Sequence, residues 1–234
     1  MRHGWEGVVL KLLGAKDFTF TVTGAEQVTE RYRRVHFTDG DLLSAFGVHP
    51  TMWVRLWFDN AGKPHQRAYT LVDPDVETGT FTLEFALHDG CASDWSRNAQ
   101  PGDTIEATVQ GTGFDVPDPL PPRMLVIGDP ASLPAINSLL AAAPEVPATI
   151  WFETTHESDQ ELPFRTEEQH ELRLVPRSQL VEDVKAGLPE LAGPDTYVWI
   201  ACDTATTRAL TSYVLKDLAV PKHRVQSLGY WKAA

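Results

Sequence analysis

Two hydrophobic rhythms divide the chain. In "TFTLEFALH" Phe81, Leu83, Phe85 and Leu87 alternate with Thr82, Glu84 and Ala86, the period-two signature of a half-buried strand. "FTFTVTG" (18–24) alternates in the same way, and "MWVRLWF" (52–58) is rich in aromatic and branched residues. Turn signals such as "DNAGK" and "DPDVETG" separate these runs at short intervals, as in an antiparallel barrel or sandwich. Four prolines in "DVPDPLPPR" (115–123) exclude a helix interior or a central strand, which places a boundary there and predicts domains at 1–117 and 118–234.

Beyond the boundary the apolar residues run consecutively. "RMLVIGD", "ATIWFE", "ELRLVP" and "TYVWIACD" read as buried parallel strands, while "SLPAINSLLAAA", with Pro134 in its first turn, and "TATTRALTSYVLKDLA" read as helices. The acidic stretch 153–171 reads as a solvated loop and helix start, with His156 and His170 facing solvent. The fold class is therefore an antiparallel β-barrel followed by a Rossmann-like parallel-sheet α/β domain. The carboxyl edge of such a sheet binds nucleotides, so a barrel that holds a second cofactor suggests electron transfer.

Composition narrows the partners. With 20 Lys+Arg against 32 Asp+Glu, the formal charge of -12 argues against nucleic acid and anionic membrane. Cys91 and Cys202 are far apart and in no metal-binding spacing, which fits reduced thiols in a cytoplasmic protein and no metal site. The start "MRHGWEGVVLKLLG" has a short apolar run broken by Lys11 and no cleavage signal, and no apolar run nears the ~20 residues of a spanning helix.

Three stretches carry candidate chemistry. "RAYT" sets Arg67, Tyr69 and Thr70 on one predicted strand, Arg67 and Tyr69 on one face and Thr70 on the other unless a bulge intervenes. A guanidinium suits a diphosphate, a phenol ring suits stacking on a flat heterocycle, and a hydroxyl can bond a ring nitrogen, which together are the needs of a flavin dinucleotide. In "LHDGCASDW" a strand ends at His88, Gly90 allows close approach, Ser93 and Asp94 are N-cap types, and Trp95 would begin a helix whose first N–H groups face a phosphate. "PGDTIEATVQGTGF" is a turn, a strand, and then Gly111 and Gly113 flanking Thr112.

The elements "RAYT", "HDGCASDW", "PGDT", "GDPASLPAI", "YVWIACD" and "LGYWKAA" occur in an order that resembles the siderophore-interacting protein family, FAD-dependent ferric-siderophore reductases of the ferredoxin-reductase-like superfamily. The resemblance covers nearly the whole chain. It implies an enzyme in which Arg67, Tyr69 and Thr70 hold the flavin and its phosphates, and His88, Gly90, Ala92 and Ser93 surround the diphosphate, with Gly111 and Thr112 also at the cofactor. It further implies that Gly128, Asp129 and Asp203 shape an NAD(P)H site, Tyr230 and Trp231 return to the flavin, and Lys232 meets an anionic ferric siderophore. Tyr69, Thr70 and Lys232 are the implied catalytic residues.

Departures from the family pattern bear on the cofactors. Val72 stands where the family often carries a second arginine, and Pro130 and Ala131 replace a Glu-Thr pair, so NAD(P)H use is less secure than FAD use. Two rival readings follow: a flavin oxidoreductase fed by another donor such as ferredoxin, and a non-enzymatic binding protein on the same scaffold. Blander roles stand beside the implied ones: Tyr230 and Trp231 capping the core at the chain end, Glu153 bonding a ribose hydroxyl or lining a loop, and Cys202 as a packing residue.

Overall fold

The alternating runs of the first half become the staves of a barrel. The computed structural model describes residues 16–109, 113–114 and 116–232; the run read above for an export signal, and Gly111 and Thr112, lie outside the described residues. The chain divides into two units, Met1–Asp115 and Val116–Ala234.

In the first unit β1 (Lys16–Thr29), β2 (Tyr32–Thr38), β3 (Trp53–Asn60), β4 (Lys63–Asp75), β5 (Thr80–Ala86) and β6 (Thr104–Val109) close in the order β1-β2-β5-β4-β3-β6. Two short helices accompany them, α1 (Leu42–Phe46) and α2 (Cys91–Asn98). Phe20, Phe37 and Phe81 fill the interior, with Phe81 4.9 Å from Phe20 edge-on and 5.4 Å from Phe37 in a stack. Burying each such ring contributes roughly 1.5–3 kcal/mol. The alternation in β5 holds for Phe81, Leu83 and Phe85, but Glu84 on the opposite face is also buried. Its carboxylate accepts from the Tyr32 hydroxyl at 2.9 Å and the Arg34 Nε at 2.6 Å, which offsets the cost of burying its charge.

The β3–β4 hairpin turns through Ala61 and Gly62, both with positive φ (53° and 79°), the geometry whose twist matches that of paired strands. From that turn the ladder runs unbroken from Asn60↔Lys63 to Trp53↔Thr70, so the turn sets which side chains of β4 share a face.

In the second unit β7 (Met124–Gly128), α3 (Leu133–Ala142), β8 (Ala148–Thr154), β9 (His170–Pro176), α4 (Leu180–Leu191), β10 (Tyr197–Ala201), α5 (Thr204–Lys216) and β11 (Val225–Ser227) follow in turn. The strands pair in parallel in the order β11-β10-β7-β8-β9. Strand order therefore reverses between β7 and β10, the point at which ligands bind in open parallel sheets. Helix α4 has no counterpart in the sequence reading, where Gly187 and Pro189 mask its stripe of Leu180, Val184 and Leu188, all buried.

The expectation for 153–171 holds for most of the stretch, which is largely exposed and forms a 3₁₀ turn at Glu157–Glu161, but needs correction at two of its acids. Glu153 and Asp159 are 2% and 4% exposed, because β8 continues to Thr154 and the Asp159 Oδ2 accepts the N–H groups of Thr155 and His156 at 2.8 and 2.9 Å. His156 is exposed, whereas His170 begins β9, is half-buried, and accepts the Glu167 N–H on Nδ1 at 3.0 Å. Among the described residues no helix is long and apolar enough to cross a membrane, and no group of His, Cys, Asp and Glu is placed to hold a metal ion.

Candidate functional site

The barrel places its candidates at the strand β4 and the start of α2. Arg67 and Tyr69 share one face of β4 and Thr70 takes the other, with no bulge in the β3 pairing to bring them together. The exposed Arg67 guanidinium donates to the Gln66 carbonyl at 2.9 Å and makes no ion pair among the described residues. The Tyr69 ring lies 4.4 Å from Phe85 and 6.2 Å from Phe58. Burial lifts its phenol above the ordinary value, opposed by the Arg67 charge, so the hydroxyl stays protonated and able to donate.

Helix α2 begins earlier than the sequence reading has it. Gly90 is the N-cap, at φ 144° and ψ 160°, a conformation that favours glycine, and Cys91 is the first helical residue. Ser93 and Asp94 are therefore inside the helix, and Trp95 lies mid-helix. The reason is packing: Trp95 stacks on Phe37 at 6.2 Å and meets Phe58 at 5.9 Å, which draws the preceding turn into helix. The Ser93 Oγ, buried, accepts the His88 N–H at 3.1 Å rather than capping. No side chain caps α2, and its first intrahelical bond runs from the Asp94 N–H to the Gly90 carbonyl at 3.0 Å. Among the described residues the N–H groups of Cys91, Ala92 and Ser93 are thus left without an intrahelical acceptor. Cys91 is near enough to Tyr69 to act on its ionisation, so this turn and the Tyr69 face of β4 are neighbours.

A groove of about 590 Å³ adjoins the same turn, floored by Phe58 and Trp95 and edged by Asp59, Asp94 and Asp103. Its carboxylates repel phosphate.

In the second unit the candidates gather at the carboxyl edge of the sheet. Gly128 ends β7, and a Cβ there would lie 2.5 Å from both Ile136 Cδ1 and Ser132 Oγ, so glycine lets α3 approach the strand. Asp129 follows, 1% exposed: Oδ1 accepts the N–H groups of Ala131 at 3.0 Å and Ser132 at 3.1 Å, and Oδ2 accepts the Trp231 indole N–H at 2.7 Å. Burial, and to a lesser degree the Glu153 charge, raise the Asp129 carboxyl to about 7 against the pull of these donors.

Arg177, one residue past β9, ties the edge together. Its Nη1 donates to Glu153 at 2.6 Å, its Nη2 to Asp203 at 3.4 Å, and its guanidinium lies 4.7 Å from the Trp231 ring centre. Burial raises the Glu153 carboxyl, opposed by Arg177. For Asp203 burial pushes upward too, but the donors of Thr206 and Ala205 at the start of α5, with Arg177, hold it below its ordinary value. Cys202 is fully buried in the core, its thiol pushed up first by burial and then by the carboxylates around it.

The sequence candidates thus fall into two groups: Arg67, Tyr69, His88, Gly90, Ala92 and Ser93 in the barrel, and Gly128, Asp129, Asp203 and Trp231 in the sheet unit. Tyr230 packs edge-on against Trp199 at 6.3 Å, and Lys232 is exposed. Arg177 is the residue that sequence reasoning missed. A cation just past the carboxyl end of "ELRLVP" was the available signal.

Residues 121–234 match the family described as siderophore-interacting protein, and residues 49–110 the siderophore-interacting FAD-binding domain. The mycobactin import ATP-binding/permease protein IrtA of Mycolicibacterium thermoresistibile is 33% identical over 241 residues, covering 99% of this chain and 26% of that protein. Its counterpart in Mycolicibacterium smegmatis is 32% identical, with 99% and 28% covered, so the chain spans about a quarter of the length of these curated relatives. Among solved structures, the siderophore-interacting protein SipS of Aeromonas hydrophila superposes with a TM-score of 0.79 at 19% identity, covering 94% of this chain and 92% of that one. A siderophore utilization protein from T. fusca gives 0.82 at 20% identity, with 94% of each covered. The ferredoxin NADP+ reductase of Neisseria gonorrhoeae, solved with bound FAD and NADP, gives 0.68 at 14% identity, covering 92% and 99%. These structures establish a ferredoxin-reductase-like fold. With one family model on the barrel and the other on the parallel sheet, the chain belongs to the siderophore-interacting protein family.

Proposed function

We propose that this chain is a flavin-dependent ferric-siderophore reductase: it takes electrons from NAD(P)H and delivers them to Fe(III) held by a siderophore. The observation that carries the reading is the first turn of α2, uncapped by any described side chain, beside Tyr69, with the cation of Arg67, in no ion pair among the described residues, on the same face of β4. Family membership supports FAD as the group these residues would hold. Bound FAD supplies the conversion between a two-electron donor and one-electron steps.

The residues have separable tasks. Arg67 and the N–H groups of Cys91, Ala92 and Ser93 hold a diphosphate, and the missing Cβ of Gly90 keeps its approach open. The Tyr69 ring flanks the flavin and its hydroxyl, which makes no hydrogen bond among the described residues, donates to it. His88 keeps the turn closed through its N–H to Ser93. Thr70 presents its hydroxyl on the other face of β4. Where the family often adds a second arginine, Val72 is 9% exposed and contributes no charge.

At the sheet edge, Asp129, Asp203 and Trp231 line the place of the donor, and the exposed Lys232 meets the anionic chelate. Oxidation of one NAD(P)H to NAD(P)+ and a proton supplies the electrons that reduce two Fe(III) to two Fe(II). Hard Fe(III) grips anionic oxygen ligands and softer Fe(II) grips them less, so reduction frees the iron.

Two measurements test the reading. A yellow preparation with a flavin spectrum is expected, as is NADH- or NADPH-driven formation of Fe(II) trapped by a chromogenic chelator from a ferric hydroxamate or catecholate. A protein that takes up no FAD, or releases no iron with any donor, refutes it. A second reading, a donor other than a dinucleotide such as ferredoxin, is favoured by Asp129: its own carboxylate takes the loop N–H groups of Ala131 and Ser132, and Pro130 has none to offer. Iron release with reduced ferredoxin but with neither nucleotide would select it.

A further inference from the structure

The parallel sheet has an open side. Among the described residues β9 pairs only with β8, and no strand lies beyond it in the order β11-β10-β7-β8-β9. The Ala148 N–H donates to the Gln169 carbonyl at 3.3 Å and the Arg177 N–H to the Thr154 carbonyl at 2.9 Å, so the odd-numbered residues of β9 turn their backbone toward β8. Leu172 and Leu174 turn theirs the other way, where no described strand receives them. The His170 N–H also points outward and is taken by the Glu167 carbonyl at 2.9 Å. An edge of this kind is a template for one more strand. At the other end of the sheet β11 is three residues long, and the barrel is closed, so β9 is the long free edge among the described residues.

The side chains of β9 are complementary to themselves. Glu171 and Arg173 stand on one face, paired within the chain at 2.9 and 3.0 Å but 55% and 36% exposed. On the other face Leu172 is half-buried and Leu174 is 38% exposed. "HELRLVP" (170–176) holds one acid and one base in a chain of formal charge -12, so two copies that repel overall meet no net charge here.

We propose that β9 is the interface of a symmetric dimer: the strands of two copies pair antiparallel about an axis through Leu172, joining two five-stranded sheets into one. Leu172 of each copy exchanges N–H and carbonyl bonds with Leu172 of the other, and each Leu174 N–H donates to the His170 carbonyl of the second copy. Glu171 of each copy then stands opposite Arg173 of the other, in the non-hydrogen-bonded positions where facing side chains are closest. Charge selects this register. Moving the axis to Glu171 or to Arg173, the nearest shifts that keep outward backbone groups opposite each other, sets acid against acid or base against base. The axis through Leu172 also continues the row of Leu172 and Leu174 across both copies and covers the exposed leucine. The proposal goes beyond the reductase reading and stands or falls without it.

The test is sedimentation velocity of the full chain over a series of concentrations. The wild type is expected to pass from monomer to dimer as concentration rises. Arg173→Glu and Glu171→Arg each set like charges opposite each other, and each should raise the dissociation constant about tenfold or more. An equimolar mixture of the two variants again sets an acid opposite a base at both places and should associate as the wild type does. A wild type that stays monomeric overturns the proposal. So does a dimer that neither reversal weakens, or one that the mixture of folded variants fails to restore. Should either variant fold poorly, hydrogen exchange on the wild type decides. The Leu172 and Leu174 amides, open to solvent in the monomer, should exchange more slowly in concentrated samples, and equal exchange in dilute and concentrated samples overturns the dimer.

Discussion

Trp231 and Asp129, 102 positions apart, meet through a 2.7 Å hydrogen bond from the indole Nε1 to the carboxylate Oδ2. The bond joins the end of the chain to the first strand of the parallel sheet. It also brings the bulk of an indole over a carboxyl group that burial has already made reluctant to ionise.

Stability should depend on pH through that carboxyl. The Asp129 value rises from 3.8 to about 7 on folding, so the native state holds its proton to higher pH than the unfolded chain does. The stabilisation is in full force below about pH 4 and is lost as pH rises through about 7. The thermal midpoint of the wild type minus that of Asp129→Asn should therefore fall between pH 5 and pH 8. Parallel profiles for the two proteins would show that Asp129 does not titrate in this range.

Flavin affinity should depend on the charge of Arg67. Loss of a charge-assisted hydrogen bond to a diphosphate costs about 1.5–3 kcal/mol, so Arg67→Ala should weaken FAD binding roughly 10- to 150-fold. Riboflavin, which has no phosphate, should bind both proteins alike. Flavin fluorescence titrations check both; equal losses for the two ligands would place Arg67 at the ring instead.

Gly128→Ala should destabilise the second unit. The added Cβ falls 2.5 Å from Ile136 Cδ1 and Ser132 Oγ, and α3 must shift to admit it. Overpacking of this kind costs about 1–3 kcal/mol, measurable as a lower denaturant midpoint at unchanged slope.

Glu84→Ala should destabilise the barrel by about 3 kcal/mol, the low end for a broken buried ion pair because Arg34 is 24% exposed and regains some water. It also removes the carboxylate that accepts from the Tyr32 hydroxyl, whose residue is fully buried. Removing Arg34 as well should add less than Arg34→Ala costs alone, and urea unfolding of the three variants gives the coupling directly.

Much of the barrel site was legible from local pattern. "RAYT" lies on a strand as expected, and a regular ladder to β3, the strand of the aromatic and branched run 52–58, puts Arg67 and Tyr69 on one face because side-chain direction alternates. The start of α2 was less legible. Ser93 and Asp94 have the chemistry of caps, but Trp95 finds its place against Phe37 and Phe58, and burial of that ring outweighs a capping hydrogen bond. Glu153 and Asp159 look like solvated acids for a similar reason: composition carries charge, but not the donors that make burial tolerable.

By itself the sequence determined the two kinds of sheet and their order along the chain, since alternation along β5 and unbroken apolar runs in β7, β8 and β10 report burial of one face or of both, and burial periodicity is a local property. Only the tertiary structure decided that Arg177 joins Glu153 to Asp203 and that Trp231 closes on Asp129. Those contacts follow from the strand order β11-β10-β7-β8-β9, which brings together the ends of strands remote in sequence, and no periodicity within a strand encodes which strand will lie beside it.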